Sequence, residues 1–520
     1  MMALAFDQAA EFFAVAIELG SYDRETLRHL QIELATALVH AGRGPEAARE
    51  FLAAADGAEP AVRLDCHRQA ADQWIITGHL ERGMTALRTS LADIGEPLAA
   101  TPRRALARVL WNRARLRLRG RGYHKRLESQ VPVEALRQLD VLKAVGHGLA
   151  MVDNIRGADF NGRFLLLALE TGEPRRLVGA LATEVVFLAS QAGRSGRRAR
   201  QLHADLVRIA EDCPDTGFAR TWLLLANGAA CFFEGRFTPA VRSLEAAEAA
   251  SADAQTAMTY ERNNTRVFRI HALRVLGALR QQHALIRESV RNGRQRGDRY
   301  LETTLRLLQG QSLLGRDDVV GARAAIEEAT WSPPEQGFHL QHWYELRARV
   351  ELAIYERRAP AAIAELMPRF AALDRSMLLR VKLVRADAAA LRGRLLLAGA
   401  AAGHDVASRL DEVRRIARQL EGERAGYATV YALLLRAGIA AIAPADSREG
   451  AIVPLREAVA VAAQHDMALH LAAARDRLGD LLGGDEGAAL RAMAAAYAST
   501  EGVVASDRMF EVQAPGISRG

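Results

Sequence analysis

Cysteine and aromatic residues are scarce in this 520-residue chain. The three cysteines never form a CxxC pair, which argues against a disulfide framework or a zinc site and fits a reducing compartment. Aromatic residues make up 6% of the chain, and alanine and leucine dominate the apolar half. Strand-favouring residues are therefore thin and helix formers abundant, so the composition predicts an all-α protein.

Lysine is almost absent as well. Only Lys125, Lys143 and Lys382 are lysines, which leaves 66 arginines among the 69 basic residues, against 62 acidic residues. The formal charge of +7 and the pI near 9.6 permit nucleic-acid or acidic-lipid binding but require neither. The arginine excess is typical of a GC-rich genome, so by itself it indicates no phosphate-binding function.

Long apolar runs are also lacking. No run approaches the roughly 20 residues that a membrane-spanning helix needs. Acidic residues appear at once, at Asp7 and Glu11, which is not typical of a secretory leader. We therefore expect a cytoplasmic protein with no membrane span.

One sequence pattern recurs along the chain, and the copies of it are called the repeated phrases below. A helix ends, a glycine follows, and a second amphipathic helix begins a few residues later. Glycine can adopt the left-handed conformation that ends the first helix, and small residues let the second helix pack close to it. Six loose copies begin at Ala41, Thr77, Thr171, Glu234, Leu314 and Glu356. The turn is typical of tetratricopeptide hairpins. It predicts a right-handed α-α superhelix of roughly a dozen units with a concave groove.

We divide the predicted array into four parts. They are N-terminal tetratricopeptide-like repeats (1–100), an arginine-rich helix with irregular repeats (101–190), central repeats (191–330), and C-terminal helical repeats with a tail (331–520). The weakest joints lie near Thr101-Pro102 and Ser332-Pro333-Pro334. The helix from Phe6 has the pattern of the second helix of a hairpin whose first helix is absent. We therefore expect the chain to be the downstream part, or an offshoot, of something larger.

Four stretches are more distinctive than generic repeats: Val131–Pro174, Gln336–Tyr355, Asp466–Gly487 and Asp507–Gly516. They resemble blocks in the C-terminal helical array of large bacterial serine/threonine protein kinases. In that family a kinase domain and a P-loop ATPase module precede the array. The resemblance implies a scaffold or sensor in signalling that binds a protein or peptide partner, such as a kinase or ATPase module.

The catalytic motifs of that family are missing from the chain. There is no GxGxxG loop before a lysine, no HRD or DFG motif, and no GxxxxGK[ST] loop. Without the lysine and the metal-binding aspartates, phosphoryl transfer has neither charge neutralisation nor positioning. We therefore predict a non-catalytic chain that needs no cofactor.

The first candidate binding cluster consists of Asp153, Asn154, Arg156, Asp159 and Arg163. Alternating charges three or four residues apart on a helix can pair with one another. The cluster is either a polar ligand or partner site on the concave surface, or an ion network that holds an irregular repeat together.

The second candidate cluster consists of His339, Gln341 and His342. Two histidines three residues apart can share a metal on one helix face, and Glu345 is the only further ligand nearby. The alternative is that these residues, with the adjacent tryptophan and tyrosine, pack a turn and a partly buried helix start.

Two further patterns have a functional and a structural interpretation. Gly483–Glu486 has the letters of the GGDE motif of cyclic-dinucleotide synthesis, but between helical segments it predicts a helix end followed by a helix start. The run from Arg103 to Arg126 holds ten basic residues and no acidic one. It contacts nucleic acid or acidic lipid, or it is a solvated face or a domain contact. Aromatic residues that could stack on bases are lacking in this run beyond Trp111 and Tyr123, which argues against nucleic acid as the partner.

Two other functions remain open. One is a stand-alone adaptor with no kinase in the same polypeptide or operon. The other is the effector-sensing helical array of a transcription regulator, which would require a helix-turn-helix module that the C-terminal sequence does not show.

We expect the purified chain neither to hydrolyse ATP nor to phosphorylate a generic substrate, because it lacks a phosphate-binding lysine loop. A phosphate-release assay with a P-loop ATPase as positive control checks this. Turnover above the buffer background would contradict the non-catalytic interpretation.

Overall fold

The computed structural model describes residues 2–191, 195–254, 258–329, 338–443 and 448–517. Within these ranges the ordered elements are helices, and the only β-type pairing is an isolated antiparallel bridge between Gln191 and Val381. The predicted all-α helical solenoid is confirmed.

The helices follow one another with short connections. The first nine are α1 (Met2–Leu19), α2 (Arg24–Ala41), α3 (Gly44–Ala55), α4 (Pro60–Ile76), α5 (Leu80–Asp93), α6 (Pro102–Arg119), α7 (Val133–Val152), α8 (Asn154–Thr171) and α9 (Pro174–Ser190). The central helices are α10 (Ser195–Ala210), α11 (Thr216–Phe233), α12 (Phe237–Ala250), α13 (Thr259–Leu276), α14 (Leu279–Gln295), α15 (Arg299–Leu308), α16 (Gly310–Gly315) and α17 (Val319–Glu327).

The C-terminal helices continue the same arrangement. They are α18 (Leu340–Tyr355), α19 (Ala359–Asp374), α20 (Lys382–Ala401), α21 (Val406–Gly422), α22 (Gly426–Ile442), α23 (Arg448–Gln464), α24 (Ala468–Leu482), α25 (Gly484–Glu501) and α26 (Ser506–Gln513). Two short 3-10 helices occupy Glu128–Gln130 and Met377–Arg380. Most helices pair with the next one as an antiparallel hairpin, and each hairpin packs on its neighbours, as expected of a repeat array.

The turns of the six repeated phrases all join two helices. In four of them Gly42, Gly78, Gly172 and Gly235 adopt left-handed φ values of 79°, 85°, 71° and 79°. In the last two copies the left-handed residue is not glycine but Asp317 or Arg357, each with φ 57°. An L-residue pays a steric cost there. At Asp317 a compensating contact is present, because the Tyr355 hydroxyl donates to its Oδ1 at 2.7 Å.

The GGDE-like segment is also a turn between helices. Gly483, with φ 64°, ends α24, and Gly484 begins α25. The segment therefore lies between two helices and not on a β-hairpin.

Small residues allow the helices to approach closely. A Cβ at Gly228 of α11 would lie 2.6 Å from Leu244 Cγ of α12. A Cβ at Gly393 of α20 would lie 2.7 Å from a methyl carbon of Leu435 in α22. One hydrophobic core runs from Leu64 to Ile517, and a smaller one fills the N-terminal hairpins. The larger core crosses the boundaries between the four predicted parts. The division into those parts remains a prediction.

The superhelix winds so tightly that distant hairpins touch. The Arg299 N–H donates to the Thr77 carbonyl at 3.0 Å, which joins the start of α15 to the end of α4. The Tyr497 hydroxyl of α25 donates to the carbonyl of Gly277, next to α13, at 2.7 Å. Arg280 N–H donates to Glu501 Oε2 at 3.0 Å. The array is therefore held together by contacts between turns of the superhelix as well as along the chain.

The C-terminal segment crosses earlier helices. The Val504 N–H donates to the Gly315 carbonyl at 2.8 Å. The buried Arg394 of α20 donates to Gln513 Oε1 at 2.8 Å and to the Val512 carbonyl at 3.0 Å. Helix α26 thus fastens α16, α18 and α24 together.

Two segments, at Thr101-Pro102 and at residues 332–334, were predicted to be weak joints of the array. Thr101 caps α6 by accepting from the Arg104 N–H at 3.3 Å, so the first joint is a helix start. The joint at residues 332–334 lies outside the described residues. Helix α1 packs on α2 and leaves Phe12 and Leu19 exposed on its other side.

We expect Gly172→Ala to destabilise the chain more than Gly95→Ala does. Both glycines have positive φ (71° and 68°), so each substitution costs about 1–2 kcal/mol of backbone strain. A Cβ at Gly172 would also overlap the His124 carbonyl oxygen, whereas none of the described atoms lies within 4 Å of a Cβ at Gly95. The clash adds about 1–3 kcal/mol. Thermal unfolding followed by circular dichroism compares the pair, and equal losses would contradict the predicted contact.

Candidate functional site: an aromatic cavity inside the superhelix

The first predicted cluster ties the loop before α6 to α8. Asp153 caps α8 by accepting from the Arg156 N–H at 3.1 Å, and the Arg156 side chain accordingly ion-pairs with Asp153 at 2.7 Å. Arg156 Nε also donates to the Ala99 carbonyl at 2.8 Å. Asn154 is the first residue of α8. The charges at this helix start are thus engaged with neighbouring segments of the chain.

The remaining members of this cluster form a second set of contacts. Asp159 is fully buried and accepts from Asn112 Nδ2 at 2.9 Å. Arg163 pairs with Asp159 and donates to Glu96 Oε2 at 2.9 Å, while its guanidinium lies 4.5 Å from the centre of the Phe160 ring. The structure brings Asp159 and Arg163 together in an interhelical ion network, and a ligand role for the cluster remains a prediction.

The second predicted cluster lies at the start of α18. The His339 N–H donates to His342 Nδ1 at 3.0 Å, and the two rings stack with their centres 5.6 Å apart. Gln341 is buried and donates to Thr304 Oγ1 at 3.4 Å. Glu345 is held by Arg349 at 2.8 Å and by Arg369 at 2.5 Å. In the part of the chain that the structure describes, no group of three or more His, Cys, Asp or Glu side chains could hold a metal ion.

Several residues of the basic run from Arg103 to Arg126 contact neighbouring helices. Arg113 pairs with Glu184 of α9, and Arg119 donates to the Leu169 carbonyl of α8 at 2.8 Å. Lys125 pairs with Asp212 at 2.5 Å. These contacts attach α6 and the loop after it to α8, α9 and the end of α10.

A cavity of about 400 Å³ lies inside the superhelix, and none of the eight predicted site residues lines it. Its wall comes from α6, α7, α8, α9, α11, α13, α15, α18 and α20. The bridge between Gln191 and Val381 and the 3-10 helix Met377–Arg380 form one side. The winding of the array therefore creates one site from residues far apart in sequence.

Aromatic side chains form part of the wall. His147 stacks on Tyr260 with ring centres 4.4 Å apart and planes 6° apart, and Trp222 lies 5.9 Å from His147. On the other side His271 lies 5.0 Å from Tyr344. Burial lowers the pKa of His147 and of His271 well below the ordinary value, and nearby cations add to the effect. Both imidazoles are therefore uncharged at neutral pH.

Three buried charged residues line one part of the cavity. Arg274 Nη2 donates to Asp387 Oδ2 at 2.7 Å, and Arg347 Nη1 donates to the same oxygen at 3.4 Å. Burial alone would raise the pKa of Asp387, but Arg274 and Arg347 hold it well below its usual range. Burial lowers the pKa of Arg347, and the neighbouring Arg274 lowers it further. Two buried guanidinium groups thus share one carboxylate.

Several buried polar atoms of lining residues lack a hydrogen-bond partner within the protein. They are Asn161 Oδ1, Trp222 Nε1, Arg274 Nε and Arg347 Nη2. Buried polar groups are normally hydrogen-bonded, so these four atoms are available to a polar ligand.

None of the sequence patterns described above predicts this site, although the sequence contains a signal for it. Arg274 follows HAL, Arg347 lies in YELRARVEL, and Asp387 lies in RADAAAL. A charged residue inside an apolar, alanine-rich helix is costly to bury unless it is paired. Such residues on separate predicted helices are candidates for one shared interior cluster.

Comparisons with known proteins assign no family. No protein-family model and no curated protein matches the chain. Among solved structures the chain is similar to a protein titled "Circular tandem repeat protein with novel repeat topology and enhanced subunit contact surfaces", with 14% identity. The match covers 98% of this chain and 96% of that one, with a TM-score of 0.14. Because that score is low, the fold assignment rests on the helices themselves.

None of the described helices is long and apolar enough to cross a membrane.

We expect Asp298→Asn to reduce the loss of stability between pH 4 and pH 7. Asn263, which lines the cavity, donates to Asp298 Oδ2 at 2.7 Å, and Asp298 caps α15 through the Leu301 N–H at 2.9 Å. Burial raises the pKa of Asp298 from 3.8 to about 7, although those two hydrogen bonds and the charge of Arg296 act to lower it. The stabilising contribution is therefore complete below pH 3.8 and is lost as the pH rises through about 7, on the order of 4 kcal/mol at most.

Thermal unfolding at a series of pH values measures this effect as the difference between variant and wild type. Asp318→Asn is the control for capping itself, because Asp318 caps α17 in the same way from an exposed position. Parallel pH profiles for Asp298→Asn and wild type would contradict the raised pKa.

Proposed function

We propose that the chain is a non-catalytic scaffold and sensor module of bacterial signalling that acts in the cytoplasm and binds a kinase or ATPase module. The kinase context is supported by the resemblance in blocks such as Val131–Pro174. The helical-repeat fold is of the protein-interaction type, since such arrays present extended surfaces to partners. One exposed face, on α6, carries the proposal furthest.

The outer face of α6 has the composition of an interface. Leu110, Trp111 and Leu118 are 63%, 64% and 88% exposed, and they lie on a helix whose inner side is already buried against α8. Apolar and aromatic residues in exposed groups mark interaction sites, and tryptophan is enriched among the residues that dominate binding energy. We assign this face to the protein partner.

The charges around that face indicate the chemistry of the partner. Arg103, Arg104 and Arg117 are exposed on the same helix, and its sequence contains no acidic residue. Basic residues around an apolar centre steer and orient an acidic surface. The partner that fits is therefore a protein with an acidic, partly apolar patch.

The cavity favours a second function for the same chain, that of an effector sensor. A cavity of about 400 Å³ is within the usual range of small-molecule pockets. A ligand there would contact helices from α6 to α20, so its binding would stabilise one arrangement of the array. The partner face on α6 and the wall formed by Leu106 and Val109 belong to one helix, which links the two functions.

We expect the triple variant Leu110→Ser, Trp111→Ser and Leu118→Ser to lose the partner, since it removes the apolar centre of the face. Affinity capture from host lysate with wild-type and variant chains, read by mass spectrometry, measures this. Wild type should recover a kinase or P-loop ATPase, and the variant should recover at least about tenfold less.

The matched control replaces exposed apolar residues elsewhere. Val320→Ser and Val453→Ser change side chains that are 81% and 62% exposed on α17 and α23, and they should leave recovery unchanged. Equal recovery with the α6 variant would assign the partner to another surface. Recovery of neither a kinase nor an ATPase by the wild type would overturn the proposed context.

A further inference from the structure

The buried charges around Asp387 do not cancel. Three arginines (Arg274, Arg347 and Arg394) and two acids (Glu351 and Asp387) are at most 7% exposed, and of these Arg274, Arg347 and Asp387 line the cavity. The histidines that face them add no charge, because burial lowers the pKa of His470 to about 3 and that of His271 well below its ordinary value. A net positive charge in a desolvated interior is costly, so an anion bound there is favoured.

Each of these three arginines has one nitrogen without a hydrogen-bond partner, and only in Arg347 is that nitrogen a terminal Nη rather than Nε. Arg394 is engaged by Gln513 and the Val512 carbonyl. Arg274 has the shorter contact to Asp387 and a second acid, Glu351, at 3.9 Å. Arg347, 3% exposed, reaches Asp387 only at 3.4 Å, and its Nη2 has no hydrogen-bond partner. A guanidinium with a free nitrogen is suited to a carboxylate, whose oxygens match its geometry.

The surroundings of Arg347 select a flat, apolar body. Its guanidinium lies 5.4 Å from the ring centre of Tyr344 and 5.9 Å from that of Trp343. Beyond them the wall continues through Phe232 and Phe268, whose ring centres are 5.6 Å apart. Aromatic walls favour planar ligands, which they can contact by stacking or edge-to-face packing.

The cavity also limits the size of the ligand. About 400 Å³ suits a small organic molecule, and helices border the space on many sides. Trp222 Nε1 is an unpartnered donor elsewhere in the wall and offers a second polar contact to an oxygen of the ligand.

We infer that the cavity binds a small monocarboxylate with a planar aromatic body, whose carboxylate is bound by Arg347. The inference rests on the proposed sensor function and names the class of ligand for it. The ligand neutralises the buried positive charge and completes the hydrogen bonding of the Arg347 guanidinium.

The first test compares naphthoate with naphthamide on the wild-type chain by isothermal titration calorimetry. The two probes share one aromatic body, and only the acid is charged. We expect the acid to bind roughly tenfold or more tightly, because hydrogen bonds to charged groups contribute more than neutral ones. Equal affinity for acid and amide, or no binding of naphthoate at millimolar concentration, would overturn the inference.

The second test uses variants on one helix. Arg347→Met should lower the affinity for naphthoate roughly tenfold or more and leave naphthamide unchanged. Asp387 keeps Arg274 as its partner in that variant. Arg349→Met is the control, since Arg349 lies on α18 but pairs with Glu345 and does not line the cavity. Equal losses in both variants would overturn the role of Arg347, and if Arg347→Met does not fold, the acid–amide comparison decides alone.

The two proposals fail separately. If the chain binds naphthoate but captures no kinase or ATPase, the ligand site is supported and the proposed signalling context is contradicted. If the chain captures its partner through α6 but binds naphthoate and naphthamide equally, only the inferred ligand site is contradicted.

Discussion

The burial of each hairpin against its neighbours is the constraint on which the rest of the structure depends. A two-helix unit has too little apolar surface to fold alone, so its stability comes from stacking. Glycines such as Gly228 and Gly393 let facing helices approach until side chains from the neighbouring helix fill the space above them. The stacked hairpins wind so that α6, α13 and α20 border one interior space.

That interior combines two kinds of surface with different energetic consequences. The aromatic wall around His147 and Tyr260 gains stability from burial, whereas the cluster of Arg274, Arg347 and Asp387 is costly to desolvate. A core built only for stability would replace such charges with apolar residues, which is often neutral or stabilising. The cluster is thus better explained by recognition than by stability, which agrees with the proposed ligand site.

Much of the fold could be predicted from the sequence, because hairpin formation is local. Alanine and leucine content indicated helices, and the glycine phrase located turns such as those at Gly42 and Gly172. The same rule has limits, since at two of the turns Asp317 and Arg357, and not glycine, adopt the left-handed conformation. The winding itself was not predictable, because the bond between Thr77 and Arg299 joins residues with no common local pattern.

The sites were harder to predict for the same reason. Charge alternation in α8 indicated that Asp159 and Arg163 interact, but Asn112 and Glu96, which also engage them, come from other segments. The cavity residues lie on helices separated by hundreds of positions, and each looks like an ordinary helical residue in its own segment. Only the superhelix shows that Arg274, Arg347 and Asp387 share one space.

The contacts between distant hairpins alter the mechanics of the array. An open solenoid behaves like a spring, because pulling its ends opens each interface slightly and independently. Here the links from Tyr497 to Gly277 and from Arg299 to Thr77 bridge successive coils. Such an array resists extension as a closed cylinder does, until the bridging hydrogen bonds break. A force or a bound partner at one coil is therefore transmitted across the bridges to the next coil, without having to travel through every intervening hairpin.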